Sequence, residues 1–328
     1  MMKVLGVDGG GTKTHAVVAD DSGEVLGVGT ARASNWEDVG LDEAGAALGE
    51  AAAAALSAAG APADELSASV FGLAGLDWES DLARLDGVIA PIGLGGQREI
   101  VNDSFVALRA GANHSYGAVV IAGGGAVAAG RNPEGEEFRT FGLGPQFGDW
   151  GSAPEVAEEA IRAVAHAHVG RGPKTALTAI ALEWGESASV PELFEKLSRP
   201  VRPVEGLAPL VLRAAEDGDS VAKEILERAG TSLGEAVAAV VARLEMEELQ
   251  FEVVMAGGLF RGGSRSLHAA FEREVKRAAP KAMLVRLEVP PVVGAVLRAI
   301  ELASAEPAAG THLRLSLEVI KTLNYEFT

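Results

Sequence analysis

The chain of 328 residues contains no cysteine. This absence excludes disulfide bridges, iron–sulfur clusters, thiolate zinc sites and cysteine nucleophiles. Positive charge is also scarce, because 28 lysine and arginine residues stand against 46 aspartate and glutamate residues and leave a net charge of −18. A surface of that sign repels the phosphates of nucleic acids and of anionic membranes, so we expect neither as a partner.

Long apolar runs are missing as well. No stretch is long enough to span a bilayer, and the first residues show no basic-then-apolar signal pattern, so we expect a cytoplasmic protein. Hydrophobic residues nevertheless make up 48% of the chain, which is enough for sizeable cores. The length predicts about two domains.

Glycine is abundant, and its first cluster follows the apolar run that ends at Asp8. Gly9–Gly11 precede Thr12 and Lys13, and a second apolar run then begins at Ala16. The pattern predicts a β-hairpin whose first strand ends at Asp8. Three glycines would let phosphate oxygens reach the backbone N–H groups, and Asp8 could reach a metal ion through water. The alternative is a purely structural turn, for which a two-residue Asn-Gly loop would suffice.

The same order of features returns later in the chain. Tyr116–Ala122 forms an apolar run, Gly123–Gly125 follow, and Ala126–Ala129 resume the apolar pattern before a polar turn. This recurrence predicts an internal duplication, with two similar domains that each present a glycine hairpin to a shared cleft.

Asp103 lies where a predicted strand, which includes Ile100 and Val101, meets a predicted helix over Ser104–Ala110. Ligands of α/β sheets bind at the carboxyl ends of strands, and a carboxylate there can accept a proton from a substrate hydroxyl. The alternative is that Asp103 or Ser104 caps the helix.

Three further places carry weaker signals. Asn35 and Trp36 offer an amide and an aromatic face to a sugar ring, or alternatively a helix cap beside a core tryptophan. Asp149 is either a substrate-binding carboxylate or a turn residue. A predicted strand ends at Gly257-Gly258, where a planar base can lie against the backbone. In the tail, the alternation from Leu313 to Val319 predicts a strand with one buried face.

With these motifs in order, the chain resembles the sugar kinase and actin-like ATPase superfamily, and within it the N-acetylglucosamine kinase and BadF/BadG/BcrA/BcrD ATPase family. The resemblance runs from residue 4 to about residue 303. It implies an α/β fold of two ribonuclease-H-like (actin-like ATPase) domains around an interdomain cleft that holds ATP and sugar. We accordingly expect an N-terminal domain at 1–114, a C-terminal domain with a helical insertion at 115–303, and a tail at 304–328 that can return to the N-terminal domain.

The resemblance also implies residue roles. Asp103 would be the general base, and Asp8 would bind Mg²⁺, through water. The residues implied in nucleotide binding are Asp8, Gly9, Gly10, Gly11, Thr12, Lys13, Gly123, Gly124, Gly125, Gly257 and Gly258. Those implied in sugar binding are Asn35, Asn102, Asp103, Gly124 and Asp149.

The expected activity is therefore transfer of the γ-phosphate of ATP, with Mg²⁺, to a hydroxyl of an amino sugar: N-acetylglucosamine, glucosamine or N-acetylmuramic acid. Gly124 and Ala126 stand where the family usually carries hydroxyl side chains, which removes two hydrogen bonds to phosphate or sugar. An actin-like ATPase module that drives a partner protein, and a sugar-binding protein without transfer chemistry, therefore stay open as alternatives. We also expect a homodimer.

Overall fold

The computed structural model describes residues 2–199, 203–303, 307–308 and 310–323, with the side chain of residue 205 left aside. Parts of the predicted tail, residues 304–306, 309 and 324–328, lie outside the described residues, as does part of the linker expected between residues 307 and 310.

Within these residues the chain forms ten strands. They are β1 (Lys3–Gly9), β2 (Lys13–Asp20), β3 (Val25–Arg32), β4 (Ala68–Leu73), β5 (Gln97–Asn102), β6 (Gly117–Ala122), β7 (Ala126–Arg131), β8 (Glu137–Arg139), β9 (Glu252–Ala256) and β10 (Met283–Arg286).

The same residues form thirteen α-helices. They are α1 (Trp36–Val39), α2 (Leu41–Ala59), α3 (Glu79–Ile89), α4 (Asp103–Gly111), α5 (Ala153–His168), α6 (Leu177–Trp184), α7 (Val190–Ser198), α8 (Ala208–Glu216), α9 (Ser220–Arg243), α10 (Gly258–Arg261), α11 (Arg265–Ala278), α12 (Val292–Leu302) and α13 (Thr311–Leu323).

The chain divides into two compact units. The N-terminal unit comprises residues 1–117 and 287–328, and the C-terminal unit comprises residues 118–286. The first boundary lies close to the expected one, but residues 287–303, which we assigned to the C-terminal domain, belong to the N-terminal unit.

The N-terminal unit contains a mixed five-stranded sheet in the order β3-β2-β1-β4-β5. The predicted hairpin is confirmed, because β1 and β2 pair antiparallel with Asp8 opposite His15. On the other side of β1, strands β4 and β5 run parallel to it and to each other.

The C-terminal unit repeats this arrangement. Its sheet has the order β10-β9-β6-β7-β8, so β6 takes the place of β1, β7 that of β2 and β9 that of β4. Strands β6, β9 and β10 are parallel, whereas β7 and β8 are antiparallel. The predicted duplication of architecture is confirmed, and α5–α9 are inserted between β8 and β9.

The alanine-rich composition of α2 follows from how closely it packs on the sheet. A Cβ atom added to Gly29 of β3 would lie 2.0 Å from the carbonyl oxygen of Ala51, and one on Gly27 would lie 2.2 Å from that of Ala55. Only small residues on both elements allow this approach, which buries Leu48 on the same helix completely.

Helix α12 is the central helix on the other face of the N-terminal unit. It packs against β1, β4 and α4. A Cβ atom on Gly294 of α12 would lie 1.9 Å from the carbonyl oxygen of Val106, and one on Gly6 of β1 would lie 2.4 Å from the backbone nitrogen of Val296. This close packing explains why residues 287–303 belong to the N-terminal unit.

The prediction of a strand over Leu313–Val319 is wrong, because these residues lie in helix α13. On a helix the alternating leucines do not share one face: Leu315 and Val319, four positions apart, are buried, whereas Leu313 and Leu317 are 64% and 61% exposed. Val25 of β3 donates its backbone N–H to Glu318 of this helix at 2.9 Å.

No helix among residues 2–199, 203–303 and 310–323 combines the length and apolar character needed to cross a membrane.

Candidate nucleotide and substrate site

The carboxyl ends of three parallel strands meet at one edge of the N-terminal sheet. Gly9 of β1 aligns with Leu73 of β4, and Leu73 aligns with Asn102 of β5. Asp8 and Asp103 therefore lie at the same edge, which is where α/β sheets bind ligands.

The two carboxylates are close enough to affect each other. Desolvation by burial, and then the negative charge of Asp103, raise the pKa of Asp8 from 3.8 to about 7. A cation beside this pair would relieve both effects, because it stabilises the ionised carboxylates.

The glycines of the β1–β2 turn differ in what the fold requires of them. A Cβ atom on Gly9 would lie 2.6 Å from Ser34 Oγ and 2.7 Å from Leu73 Cδ2, so packing alone requires glycine there. A Cβ on Gly10 or Gly11 would meet other atoms only at ordinary contact distance, 3.6 and 3.7 Å, and neither residue has positive φ. Packing therefore does not require glycine at these two positions, and their missing Cβ atoms leave room for a ligand to approach the backbone.

The turn itself is held by its own backbone and by the segment after β3. Gly10 donates its N–H to the carbonyl of Lys13 at 3.2 Å and accepts from the N–H of Ser34 at 3.0 Å. Gly11, Thr12 and Lys13 are exposed, so the hydroxyl and ammonium groups of the last two can meet a ligand.

The loop after β4 connects the parts of this edge, a role that the sequence analysis missed. Ala74 donates its N–H to the carbonyl of Gly9 at 2.9 Å, and the side-chain amide of Asn102 donates to the carbonyl of Leu76 at 3.2 Å. One short loop thus joins the end of β1 to the end of β5.

Asn35 lies against the same loop. Trp36 donates its indole N–H to the carbonyl of Gly75 at 2.6 Å, and a Cβ atom on Gly75 would lie 2.4 Å from Asn35 Oδ1. Gly75 also has φ +78°, so a glycine soon after the apolar run of β4 was the sequence signal available for this loop. Asn35 caps α1, and its amide donates to Asp38 at 2.7 Å, so the structure gives it the capping role as well as a place at this edge.

Asn102, rather than Asp103 or Ser104, caps helix α4. Its Oδ1 accepts from the backbone N–H of Ser104 at 3.0 Å and from the Ser104 hydroxyl at 2.5 Å. Asp103 is therefore the first residue of α4. The alternative in which Asp103 or Ser104 serves as the cap is wrong.

In the C-terminal unit, the triple-glycine turn between β6 and β7 lies beside the start of α5. Gly123 donates its N–H to the carbonyl of Gly125 at 2.9 Å, and its own carbonyl accepts from the N–H of Ala153 at 2.9 Å. A Cβ atom on Gly123, Gly124 or Gly125 would have no neighbour within 4 Å, and none of the three has positive φ. The open turn and the adjacent helix N-terminus together suit an anion.

Gly257 and Gly258 differ as Gly9 and Gly10 do, because packing requires glycine only at the first of the two positions. Gly257 has φ +95°, and a Cβ on it would lie 2.3 Å from the carbonyl oxygen of Ala122, so the fold requires glycine there. At Gly258 no atom lies within 4 Å of the added Cβ. The close approach of Gly257 to Ala122 brings the end of β9 next to the glycine turn that follows β6.

Asp149 belongs to the loop that leads into α5. Its Oδ2 accepts from the backbone N–H of Leu143 at 3.1 Å, and its own N–H donates to the carbonyl of Gly144 at 3.2 Å. The carboxylate thus closes the loop, and a carboxylate has about four acceptor positions, which leaves it capacity for a ligand hydroxyl.

The N-terminal site suits a divalent cation that is bound together with phosphates rather than one that is held entirely by protein side chains. Among the residues described, no group of three or more histidine, aspartate or glutamate side chains is placed to hold a metal ion. Mg²⁺ that is bound with phosphates needs only one or two carboxylates, since water and phosphate oxygens complete its shell. Asp8, with Asp103 nearby, provides that donor set.

The structure therefore brings together two groups of predicted residues, each within its own unit. The first, at one edge of the N-terminal sheet, comprises Asp8, Gly9–Lys13, Asn35, Asn102 and Asp103. The second, in the C-terminal unit, comprises Gly123–Gly125 with Gly257 and Gly258. Asp149 lies four positions before the start of α5.

Known proteins resemble the chain over nearly its whole length. It is 31% identical over 300 residues to the N-acetylmuramic acid/N-acetylglucosamine kinase of Clostridium acetobutylicum, covering 90% of this chain and 98% of that protein. It is 30% identical over 311 residues to the N-acetyl-D-glucosamine kinase of Dictyostelium discoideum, covering 90% and 97%.

Solved structures match as well. A candidate N-acetylglucosamine kinase from Chromobacterium violaceum superimposes with a TM-score of 0.69 at 25% identity, over 92% of this chain and 99% of that one. The ROK hexokinase of Thermus thermophilus superimposes with a TM-score of 0.55 at 17% identity, over 99% and 100%, which is a likeness of fold.

The fold and these relatives define the class of the protein: it is an ATP-dependent phosphotransferase with the actin-like fold of sugar kinases. The predicted α/β class is thereby confirmed. More particularly, the chain belongs to the BadF/BadG/BcrA/BcrD ATPase family, whose model matches residues 5–299.

Proposed function

We propose that the chain transfers the γ-phosphate of ATP to a hydroxyl of an amino sugar, either N-acetylglucosamine or a relative such as glucosamine or N-acetylmuramic acid. The names of the two sequence relatives support this substrate class. The observation that carries the proposal is the position of Asp103, which is the first residue of α4 and lies at the same sheet edge as the open glycine turn.

ATP supplies the transferable phosphoryl group, and Mg²⁺ supplies positive charge to its phosphates. Backbone N–H groups of the two open turns would hold the phosphates, other than those of Gly10 and Gly123, which are bonded within their own turns. Lys13 would add a positive charge. Gly257 and Gly258 would lie against the adenosine. Asp8 would hold the cation, through water.

On the substrate side, Asp103 would accept the proton from the sugar hydroxyl as general base. Asn35 and Asp149 would hold the sugar. Asn102, whose amide is already bonded to the loop after β4, would fix the backbone from which Asp103 extends.

The triple-glycine turn between β6 and β7 supports a second candidate function. Gly124 and Ala126 provide no hydroxyl group to this turn for bonding phosphate or sugar, and Ala126 is buried. Each missing hydrogen bond is worth about 0.5–1.5 kcal/mol, or more where it would reach a charged oxygen. An actin-like ATPase that hydrolyses ATP to drive a partner protein would not need those bonds.

ADP release measured with a panel of amino sugars and plain hexoses separates these functions. ADP that appears only with sugar supports the kinase and names its substrate. Hydrolysis at the same rate without sugar supports the ATPase module and overturns the kinase. If no ADP forms, calorimetric titration with sugar, alone and then with ATP, tests for a sugar-binding protein that lacks transfer chemistry.

A homodimer stays a prediction, which analytical ultracentrifugation checks.

A further inference from the structure

Trp150 lies between Asp149 and Gly151, and its ring is covered by an arginine from another element. The guanidinium carbon of Arg228, on helix α9, lies 4.1 Å from the centroid of the Trp150 ring. A planar cation over an indole face is attracted by the ring electrons and also packs flat against it.

Arg228 is itself held in place from α5. Its Nη2 lies 2.8 Å from Glu159 Oε1, and the Glu159 side chain is only 13% exposed. Arg162, one turn further along α5, pairs with the same carboxylate oxygen. Glu159 therefore has two arginine partners, of which Arg228 is the one that stacks on Trp150.

The next residue of the loop also contacts α9. Gly151 has φ +119°, and a Cβ atom on it would lie 3.0 Å from Leu233 Cγ and 3.2 Å from the carbonyl oxygen of Ala229. The loop thus meets α9 at two successive positions, first through the Trp150 ring and then through the Gly151 backbone.

The start of the loop is anchored by Arg139 of β8, which donates to the carbonyl of Phe141 at 2.7 Å, whereas the bonds around Asp149 are internal to the loop. The hydrogen bonds of Asp149 go to Leu143 and Gly144 within the loop, and Gly142, Gly144 and Gly148 all have positive φ. Because such internal bonds fix the shape of the loop around Asp149 but not its position, the contacts that the adjacent residues Trp150 and Gly151 make with α9 bear directly on where Asp149 stands.

We propose that Arg228 is a positioning residue: by stacking on Trp150 it fixes the loop at residues 141–152 on α9 and so sets the position from which Asp149 meets the sugar. This rests on the proposed function, in which Asp149 binds the sugar. Arg228 contacts neither sugar nor ATP in this scheme and acts only through Trp150.

The test compares Arg228→Ala with the matched control Arg162→Ala. Both variants remove one arginine from Glu159, but only the first uncovers Trp150. We expect Arg228→Ala to raise the KM for the sugar about tenfold, with the KM for ATP and kcat changed less than about twofold, and Arg162→Ala to match the wild type. Arg228→Lys keeps the charge but loses the flat stack, so it should resemble Arg228→Ala.

Hydrogen exchange of the 141–152 segment provides a readout that needs no activity. It should be faster in Arg228→Ala than in the wild type and unchanged in Arg162→Ala. The proposal is overturned if exchange and the sugar KM are unaltered in Arg228→Ala, or if both arginine variants behave alike, which would assign the effect to Glu159. If the wild-type chain releases no sugar-dependent ADP, the proposed function fails, while the exchange comparison still decides whether Arg228 fixes the loop.

Discussion

Asp8 and His15 stand directly opposite each other in the β1–β2 hairpin. Burial penalises the charged form of each, and so it moves their pKa values in opposite directions. Burial and then the Asp103 charge raise the pKa of Asp8 to about 7, whereas burial and then the Lys13 charge lower the pKa of His15 to about 4. Between these two values both side chains are mostly uncharged in the folded protein.

Asp8→Asn should therefore stabilise the protein at alkaline pH. The folded-state pKa of Asp8 lies above its unfolded value of 3.8, so the wild-type chain loses stability as the pH rises from about 4 to about 7. The variant lacks this loss, and we expect it to exceed the wild type by on the order of 4 kcal/mol near pH 8 but not near pH 4. Thermal unfolding in metal-free buffer measures the difference, and a constant offset at both pH values would contradict it.

His15→Gln should show the opposite pH dependence. The folded-state pKa of His15 lies below its unfolded value of 6.5, so the unfolded chain binds more protons between about pH 4 and 6.5. Wild-type stability falls as the pH drops through that window, and the variant is spared the fall. Its stability relative to the wild type should be greater near pH 4.5 than near pH 7.5 in denaturant titrations. If the difference in free energy of unfolding is the same at both pH values, His15 does not have a lowered pKa in the folded protein.

Asp103→Asn should lower kcat by about 10²- to 10⁴-fold while ATP still binds, because the amide cannot accept the proton of the sugar hydroxyl. Sugar-dependent ADP release and nucleotide titration measure the two effects. Asp86→Asn is the control, since Asp86 is a half-exposed carboxylate of the same unit that pairs with Arg98. Near-normal turnover in Asp103→Asn would exclude Asp103 as the base.

Alanine at Gly9 and at Gly10 should affect different properties. Gly9→Ala brings a Cβ within 2.7 Å of Ser34 and Leu73, so it should destabilise the fold by about 1–3 kcal/mol. Gly10→Ala meets no such clash and should leave unfolding unchanged or slightly raise stability, yet weaken ATP binding, because the added methyl group occupies the space over the turn. Melting temperature and ATP affinity, measured on both variants, separate packing from ligand approach. Undiminished ATP affinity in Gly10→Ala would mean that the turn binds no phosphate.

Gly294→Ala tests the packing of α12. The added Cβ would lie 1.9 Å from the carbonyl oxygen of Val106 and 2.6 Å from the backbone nitrogen of Ala110, so α12 must move and stability should fall by about 3 kcal/mol or more. Gly87→Ala in α3 is the matched control, since no atom lies within 4 Å of its added Cβ and alanine favours helix by up to about 1 kcal/mol. Chemical denaturation should give the two variants opposite signs.

Local patterns were sufficient to predict the hairpins, the position of Asp103 at the end of β5 and the duplicated order of strands. These features depend on alternation, glycine clusters and strand-to-helix junctions, all of which lie within short stretches of sequence. The sequence could not separate glycines that the fold requires, such as Gly257, from those that it leaves open, such as Gly258. That difference depends on which backbone lies opposite, here Ala122.

The secondary structure of the tail and the contacts of the loop after β4 could not be predicted from the sequence, for related reasons. Alternating leucines over Leu313–Val319 fit a strand, but Leu315 and Val319 also fit one face of a helix, and tertiary packing decided between them. The bond from Trp36 to Gly75 and the stacking of Arg228 on Trp150 join residues 39 or more positions apart, which no short pattern reveals.

Helix α12, which packs against β1, begins only at Val292, although β1 begins at Lys3. On the ribosome, translation therefore exposes the face of β1 around Gly6 long before the helix that covers it is synthesised. Residues 118–286 are contiguous and can fold as they emerge. The sheet of the N-terminal unit cannot pack against α12 until nearly the whole chain has been synthesised. A premature stop before α12 would thus leave an aggregation-prone product rather than a smaller working enzyme.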